Sequence, residues 1–171
     1  MKQHNDFADS LTDPLTGLPN RRGLESLLAN AYRLAREHQQ PLTLVAVDLD
    51  RFAEFNSTYF IPTGDRAIIE ISRAIALEVG AKDLVARDGG DQFCVILPDT
   101  DMEAARQQAE RIREAIACKS IAVRGNNVTV TASLGVTGAT FTEDNFWDVY
   151  HRAREALQRA KKTGGNRVLV T

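Results

Sequence analysis

ARDGGDQFCVIL, at residues 86–97, contains two short apolar runs joined by a glycine pair with an acid directly behind it. Gly89 and Gly90 can adopt the positive φ angles that tight hairpin turns need, and they leave the backbone bare enough for a ligand to approach. The stretch therefore predicts a β-hairpin with Asp91 at its tip. That acid is either an ordinary solvated side chain or a candidate metal ligand.

The whole chain has the composition of one globular domain. It has 171 residues, 43% hydrophobic and 26% charged, with a formal net charge of −2. That size suffices for a single core, and the small net charge makes no electrostatic case for nucleic acid or an anionic membrane as the main partner. The apolar runs are far shorter than the roughly 20 residues of a membrane span, and the N-terminus lacks a signal-peptide pattern. We expect no direct membrane insertion and a cytoplasmic location.

Two strong local patterns precede the hairpin. Apolar residues at helical spacing predict a helix over 21–38, with Asn20 as its cap. LTLVAVD at 42–48 is short and rich in valine and leucine, which predicts a strand buried on both faces. Cys94 and Cys118 fit neither a metal motif nor a disulfide framework, and we expect both to be buried or half-buried.

The remaining segments also mix helical and strand patterns. They are a turn or short helix over 51–63 that Pro62 breaks, a helix from Asp65 with that acid in its first turn, a helix after the capping box Thr100-x-x-Glu103, a minor strand over 121–123, a half-buried strand over 128–134, a helix over 146–160 and a strand over 168–170. This order predicts an α+β fold.

Asp48 and Asp91 come from different predicted strands, so they can meet only if those strands are neighbours. If strand 42–48 lies beside the hairpin, the two carboxylates meet at one edge of the sheet. Mg²⁺ prefers hard oxygen ligands, and phosphate and water supply the rest of its shell in nucleotide sites. The alternative is that Asp48 and Asp50 cap the following turn while Asp91 is solvated.

Several separate motifs occur in one order along the chain. They are DPLTGLPNR at 13–21, DLDRF at 48–52, Asn56, Gly64-Asp65, RDGGDQF at 87–93, SLGV at 133–136, and Ala160-Lys161 with Gly164 and NRV at 166–168. Over residues 11–171 the chain resembles the GGDEF domains of cyclic-di-GMP signalling, whose active members are diguanylate cyclases. The resemblance implies a palm-like fold over 13–171, similar to nucleotidyl cyclases and ferredoxin-like folds, in which helices flank a mostly antiparallel sheet. Residues 1–12 would be the end of a linker.

The resemblance also implies roles for the matching residues. Asp48, the carbonyl of Leu49 and Asp91 would hold Mg²⁺ or Mn²⁺, and Asp91 would be the candidate catalytic base for the 3′-hydroxyl. The implied substrate contacts are Asn56 and Asp65 at the guanine edge, Gly89, Gly90 and the backbone around Phe52 along the triphosphate, and Lys161 as a counter-charge. For Lys161 considered alone, the alternative is a solvated helix end, which is the usual case for a Lys-Lys pair.

The chain departs from the family pattern at several of these places. Active members carry a glutamate at Gln92, a lysine at Ala53 and an arginine at Gly165, so metal and phosphate contacts are lost together. Further departures are Ser57 for an aspartate, Phe60-Ile61 for Gly-His, and Gly80 for the arginine of an Arg-x-x-Asp product site that ends at Asp83. We therefore expect weakened metal binding and doubtful product feedback.

These departures favour a degenerate member that binds GTP and serves as a regulatory or interaction module, with weak or no cyclase activity. The alternative is an active diguanylate cyclase that converts two GTP into cyclic-di-GMP and pyrophosphate; a palm-type nucleotidyl transferase with another substrate is the third possibility. The expected partners are GTP, a transient second copy, and a sensory domain or other signalling protein, but not nucleic acid.

Overall fold

The computed structural model describes residues 10–142 and 145–171. Its elements are α1 (Arg21–His38), β1 (Leu42–Leu49), α2 (Phe52–Tyr59), α3 (Ile61–Leu77), β2 (Leu84–Gly89), β3 (Gln92–Pro98), α4 (Met102–Ala117), β4 (Ile121–Val123), β5 (Asn126–Val128), β6 (Ala132–Gly138), α5 (Phe146–Lys162) and β7 (Val168–Val170). The predicted α+β class is confirmed. Most of the predicted linker over 1–12 lies outside the described residues, so that boundary stays a prediction.

The main sheet has five strands in the order β2-β3-β1-β6-β7. Its pairs are antiparallel except for the parallel pair β6–β7, and β4 with β5 forms a separate small hairpin. Because β1 lies directly beside β3, the end of β1 and the tip of the predicted hairpin come to the same edge. None of the helices in the described ranges has the length and apolarity that crossing a bilayer requires.

β1 is the centre of the core, and its side chains alternate between two apolar clusters. Val45 and Val47 pack with residues of α3 and α4 on one face, whereas Leu44 and Ala46 pack with residues of α1 and α5 on the other. All eight residues of β1 are buried. The predicted strand buried on both faces is therefore confirmed, as is the helix over 21–38, where the Asn20 side chain accepts from the N–H of Gly23.

Two helix starts differ from their predictions. α3 begins at Ile61, with Pro62 in its first turn, where the missing N–H of proline costs nothing. Asp65 therefore follows the first turn, and its predicted place in that turn was wrong. The cap of α4 is Asp101, whose side chain accepts from the N–H of Ala104 at 2.9 Å.

The predicted Thr100–Glu103 capping box was consequently wrong, because the helix starts one residue later. The strand predicted over 128–134 was also misplaced: Val128 ends β5, and β6 is Ala132–Gly138. β6 is buried almost throughout instead of alternating, since helices cover both faces of the sheet. Cys94 is buried as expected, but Cys118 is exposed.

Candidate functional site

The register between β1 and β3 places Asp48 opposite Gln92, next to Asp91. The side chain of Asp48 is almost fully buried, and Asp91 is half-buried. The carbonyl of Asp91 accepts from the N–H of Leu49 at 3.3 Å, which joins the hairpin tip to the end of β1. Burial and the nearby negative charge of Asp48 raise the pKa of Asp91. The structure thus brings together two of the predicted carboxylates.

Both carboxylate oxygens of Asp48 are engaged by side-chain donors. Gln92 Nε2 donates to Asp48 Oδ2 at 2.8 Å. Lys161 Nζ, from the last turn of α5, forms an ion pair with Asp48 Oδ1 and lies 3.5 Å from the carbonyl oxygen of Leu49. A cation therefore already stands at two of the three oxygen ligands that the sequence predicted.

The oxygens that surround the Lys161 ammonium group show which kind of metal ion this place could hold. Asp48 and Leu49 offer hard oxygens that reach a common point, and Asp91 adds a second carboxylate nearby, so the donor set fits Mg²⁺ or Mn²⁺. It is a small set. In the described ranges no three side chains of His, Cys, Asp or Glu gather as a metal cluster.

The amide of Gln92 is held at its other end by α5. Its Oε1 accepts from Arg154, whose guanidinium also lies 3.3 Å from a carboxylate oxygen of Asp88. Asp88, only 1% exposed in its side chain, also accepts from Arg21 of α1 at 2.7 Å and from the Tyr150 hydroxyl at 2.6 Å. Burial and the Asp88 hydrogen bond raise the pKa of Tyr150 to about 12.

Sequence reasoning missed this network. Arg21, Tyr150 and Arg154 lie on amphipathic helices, and their spacing does not distinguish a buried polar network from a solvated face. The signal that could have found them is Asp88 itself, because an acid inside a strand pattern, if buried, needs cationic or hydroxyl partners.

The glycine tip of the hairpin is open and firmly anchored. Gly89 and Gly90 have φ angles of +129° and +55°, as predicted, and a Cβ atom at either position would meet nothing within 4 Å. Arg87 donates to the carbonyl of Gly90 at 2.7 and 3.0 Å and to both carboxylate oxygens of Asp13 at 3.0 and 3.1 Å. The DPLTG turn therefore holds the hairpin tip through Arg87, and Gly89 and Gly90 stay accessible.

The first turn of α2 follows directly from β1. Its cap, Arg51, has a φ of +53°, and no side-chain hydrogen bond caps this helix. The first N–H groups of a helix have no intrahelical acceptors, so those near Phe52 can bind an anion, as the resemblance implied. Ala53 is exposed in this turn, at the place where active family members carry a lysine.

Asp50 braces the site without being a predicted ligand. Its two oxygens accept from the hydroxyls of Thr131 and Ser133, each at 2.7 Å, and from the N–H of Asn166 at 2.8 Å. Gly165, where an arginine was expected, has a φ of +70°, and a Cβ there would lie 3.1 Å from Asp50 Oδ1. Asp50 therefore secures the turn that follows Lys161.

The predicted guanine contacts lie on α2 and α3. The side-chain oxygen of Asn56 is buried and has no hydrogen-bond partner within the described part of the chain. It faces Gly64, and Asp65 follows in an exposed position. A buried amide oxygen without a donor costs about 1–3 kcal/mol, so a ligand N–H would stabilise Asn56 if the side chain turned out of its contact with Gly64.

Comparison with known proteins decides the family. A family model described as "Diguanylate cyclase, GGDEF domain" matches residues 10–167. This chain belongs to the GGDEF domain family. The assignment agrees with the palm-like architecture and with the order of motifs in the sequence.

Individual relatives agree with this assignment. The GGDEF domain is 38% identical to diguanylate cyclase DgcP of Pseudomonas aeruginosa over 94% of its length, but it covers only 24% of that protein. It matches a crystal structure of diguanylate cyclase SiaD of P. aeruginosa, in complex with its activator SiaC, with a TM-score of 0.91 and 35% identity, covering 95% of this chain and 62% of that one.

A second solved structure matches this chain over nearly the full length of both proteins. It is the GGDEF domain of DgcB from Caulobacter crescentus in complex with c-di-GMP, with a TM-score of 0.90, 29% identity and coverage of 95% of this chain and 96% of that one. Against the curated relatives that it matches first, the chain spans 24% to 43% of their length.

Proposed function

We propose that this GGDEF domain binds GTP and acts as a regulatory or interaction module, with weak or no diguanylate cyclase activity. The observation that carries the proposal is the state of Gln92. Its neutral amide is hydrogen-bonded to Asp48 on one side and to Arg154 on the other, where active members carry a carboxylate. A neutral group in this position withdraws one negative charge from the metal site.

Three features support retained nucleotide binding. The open tip at Gly89-Gly90 and the uncapped first turn of α2 can receive phosphates. The side-chain oxygen of Asn56 has no donor, and guanine presents N–H donors on one edge of the base. Adenine carries a different set of donors and acceptors on that edge. This chemistry favours GTP over ATP, with Asp65 as a second acceptor beside the same edge.

In this proposal the metal ligands are Asp48, the carbonyl of Leu49 and Asp91. Mg²⁺ or Mn²⁺, when bound there, would neutralise the triphosphate and polarise its phosphoryl oxygens. Asp91 would be the base for the 3′-hydroxyl in any residual reaction, since its raised pKa favours accepting a proton. With only two carboxylates in the set, cation affinity is weakened.

Other domains or proteins are expected to act together with this domain. The curated relatives are much longer than this chain, and SiaD was solved with its activator. We propose that a sensory domain or another signalling protein controls this domain, and that two copies meet only transiently. Because GTP is the ligand, we place the domain in the cytoplasm.

Calorimetric titration tests nucleotide binding. In the presence of Mg²⁺, GTP should bind weakly, but more tightly than ATP. Asn56→Ala should weaken GTP binding about tenfold, which corresponds to about 1.4 kcal/mol, whereas the control Ser57→Ala, on the exposed face of the same helix, should not. Absence of GTP binding at millimolar nucleotide would reject the proposal and leave a structural module.

An active diguanylate cyclase is the second candidate. The observation in its favour is the retained Asp91, placed beside Asp48, together with relatives named diguanylate cyclases. Conversion of GTP into cyclic-di-GMP by the purified protein distinguishes the two candidates.

A further inference from the structure

We propose that Lys161 competes with the divalent cation for Asp48, and that Lys161 and Gln92 together decide which cation this site holds. The proposal deepens the proposed function, on which it rests for the identity of the site. The ammonium group would act as a tethered cation that must leave before a metal ion can bind.

The contacts of Lys161 carry this inference. Its Nζ pairs with Asp48 Oδ1 and lies 3.5 Å from the Leu49 carbonyl, so it occupies the point where the metal ligands converge. The backbone of Lys161 is held in place, because Ala160 before it is fully buried in the α5 interface. Lys162, the next residue, is exposed and provides a matched control.

Gln92 strengthens the same effect by two routes. Its Nε2 donates to the second oxygen of Asp48, so both carboxylate oxygens already have a donor and a metal ion can bind through both only by displacing both donors. The formal charge acts in the same direction: Asp48 and Asp91 offer −2 to any cation, which Lys161 half neutralises. A glutamate at residue 92 would make the carboxylate sum −3 and attract a divalent cation more strongly.

Phosphate offers the ammonium group an alternative partner. The lysine stem is flexible and its charge is compact, so Lys161 can turn from Asp48 to the triphosphate of a bound nucleotide. That move frees Asp48 Oδ1 for a metal ion. Metal and nucleotide would then bind with positive coupling, which by linkage is the same in both directions.

The test measures Mn²⁺ directly, by electron paramagnetic resonance of the protein without nucleotide. The wild type should bind Mn²⁺ weakly. Lys161→Met should bind it about tenfold more tightly, whereas Lys162→Met should behave like the wild type. Gln92→Glu should also raise the Mn²⁺ affinity about tenfold, and adding GTP should tighten Mn²⁺ binding to the wild type but much less to Lys161→Met.

Unchanged or weaker Mn²⁺ binding by a folded Lys161→Met protein would overturn the competition. Circular dichroism establishes folding, and Lys161→Gln, which removes the charge but keeps a polar chain, serves if the methionine variant does not fold. Titration of the wild type with GTP in the presence of Mg²⁺ separates the two proposals. If GTP does not bind while Lys161→Met still gains Mn²⁺ affinity, the nucleotide function fails and the competition stands.

Discussion

The side-chain oxygen of Asn56 in α2 lies 1.9 Å from the position that a Cβ atom on residue 64 of α3 would take. Glycine at 64 therefore lets the two helices present the amide. We expect Gly64→Ala to push Asn56 aside and to weaken GTP binding in calorimetry about tenfold, as Asn56→Ala does. The clash should exceed the helix-propensity gain of about 1 kcal/mol, so urea unfolding should show a net loss of about 1–2 kcal/mol.

The double variant Asn56→Ala/Gly64→Ala checks this explanation. Removing the amide relieves the clash, so the free energy of unfolding should recover while GTP binding stays about tenfold weaker than in the wild type. A Gly64→Ala protein that binds GTP like the wild type would show that Asn56 does not read the base.

Phe60, between α2 and α3, has φ +68° and ψ +158°, a region that glycine alone adopts without strain. The residue is 60% exposed, so little apolar burial compensates for the strain. We expect Phe60→Gly to raise the free energy of unfolding by about 1 kcal/mol, measured by urea denaturation. Phe60→Ala, which removes the ring but keeps a Cβ, should bring no such gain; equal stabilisation by both variants would point to the ring instead of the backbone.

The parts of the fold that were predictable depend on local signals. α1 has its cap and its apolar stripe in one continuous segment, and β1 is a short uniform apolar run, so both were found with close bounds. The start of α3 was missed because Pro62 is compatible with either a break or a first turn. The spacing of apolar residues alone does not distinguish a break at Pro62 from a first helical turn. The packing of Ile68 and Ile71 in the core does distinguish them.

The contacts in the candidate site also divide into those that the sequence could predict and those that it could not. Asp48 and Asp91 could be placed together because one assumption, the adjacency of β1 and the hairpin, suffices. The pairs Lys161–Asp48 and Arg154–Gln92 could not, because 113 and 62 residues separate the partners and only the packing of α5 brings them together. Charged residues on a helix have the same spacing whether they are solvated or face a buried acid.

The ion pair between Arg87 and Asp13 predicts a dependence of stability on acid. Burial opposes ionisation of Asp13, but hydrogen bonds from Thr16 and from Arg87 outweigh it and lower its pKa. A lowered pKa in the folded state means that the carboxylate stabilises the fold above about pH 4 and loses that contribution as the pH falls further. Asp13→Asn should therefore be less stable than the wild type at neutral pH.

The difference between the two proteins should shrink as the pH falls below about 4, measured as urea midpoints across a pH series. Lys82→Ala, which removes one partner of the exposed pair Lys82–Asp99, is a suitable control, because exposed pairs contribute little. A difference between wild type and Asp13→Asn that does not change with pH would mean that the hydrogen-bond geometry, not the charge, anchors the hairpin tip.

The last prediction concerns cyclase activity, which we expect to be very low or absent and not restored by any single substitution. The departures from the family pattern lie at different points: Gln92 beside Asp48, the proposed metal ligand, Ala53 in the exposed first turn of α2, and Gly165 after Lys161. Loss of one charge-stabilising contact can cost roughly 10²- to 10³-fold in rate. Residues that act as a unit are strongly non-additive, so the losses need not multiply.

A steady-state assay with GTP and Mg²⁺ compares wild type, Gln92→Glu, Ala53→Lys and the double variant. Gln92→Glu alone supplies a metal ligand but leaves the reacting phosphate without its lysine, and Ala53→Lys alone supplies the cation without the metal ligand. Turnover should therefore rise clearly only in the double variant, and Asp91→Ala should remove it again. Robust turnover by the wild type that Asp91→Ala abolishes would reject the degenerate interpretation and establish the active cyclase.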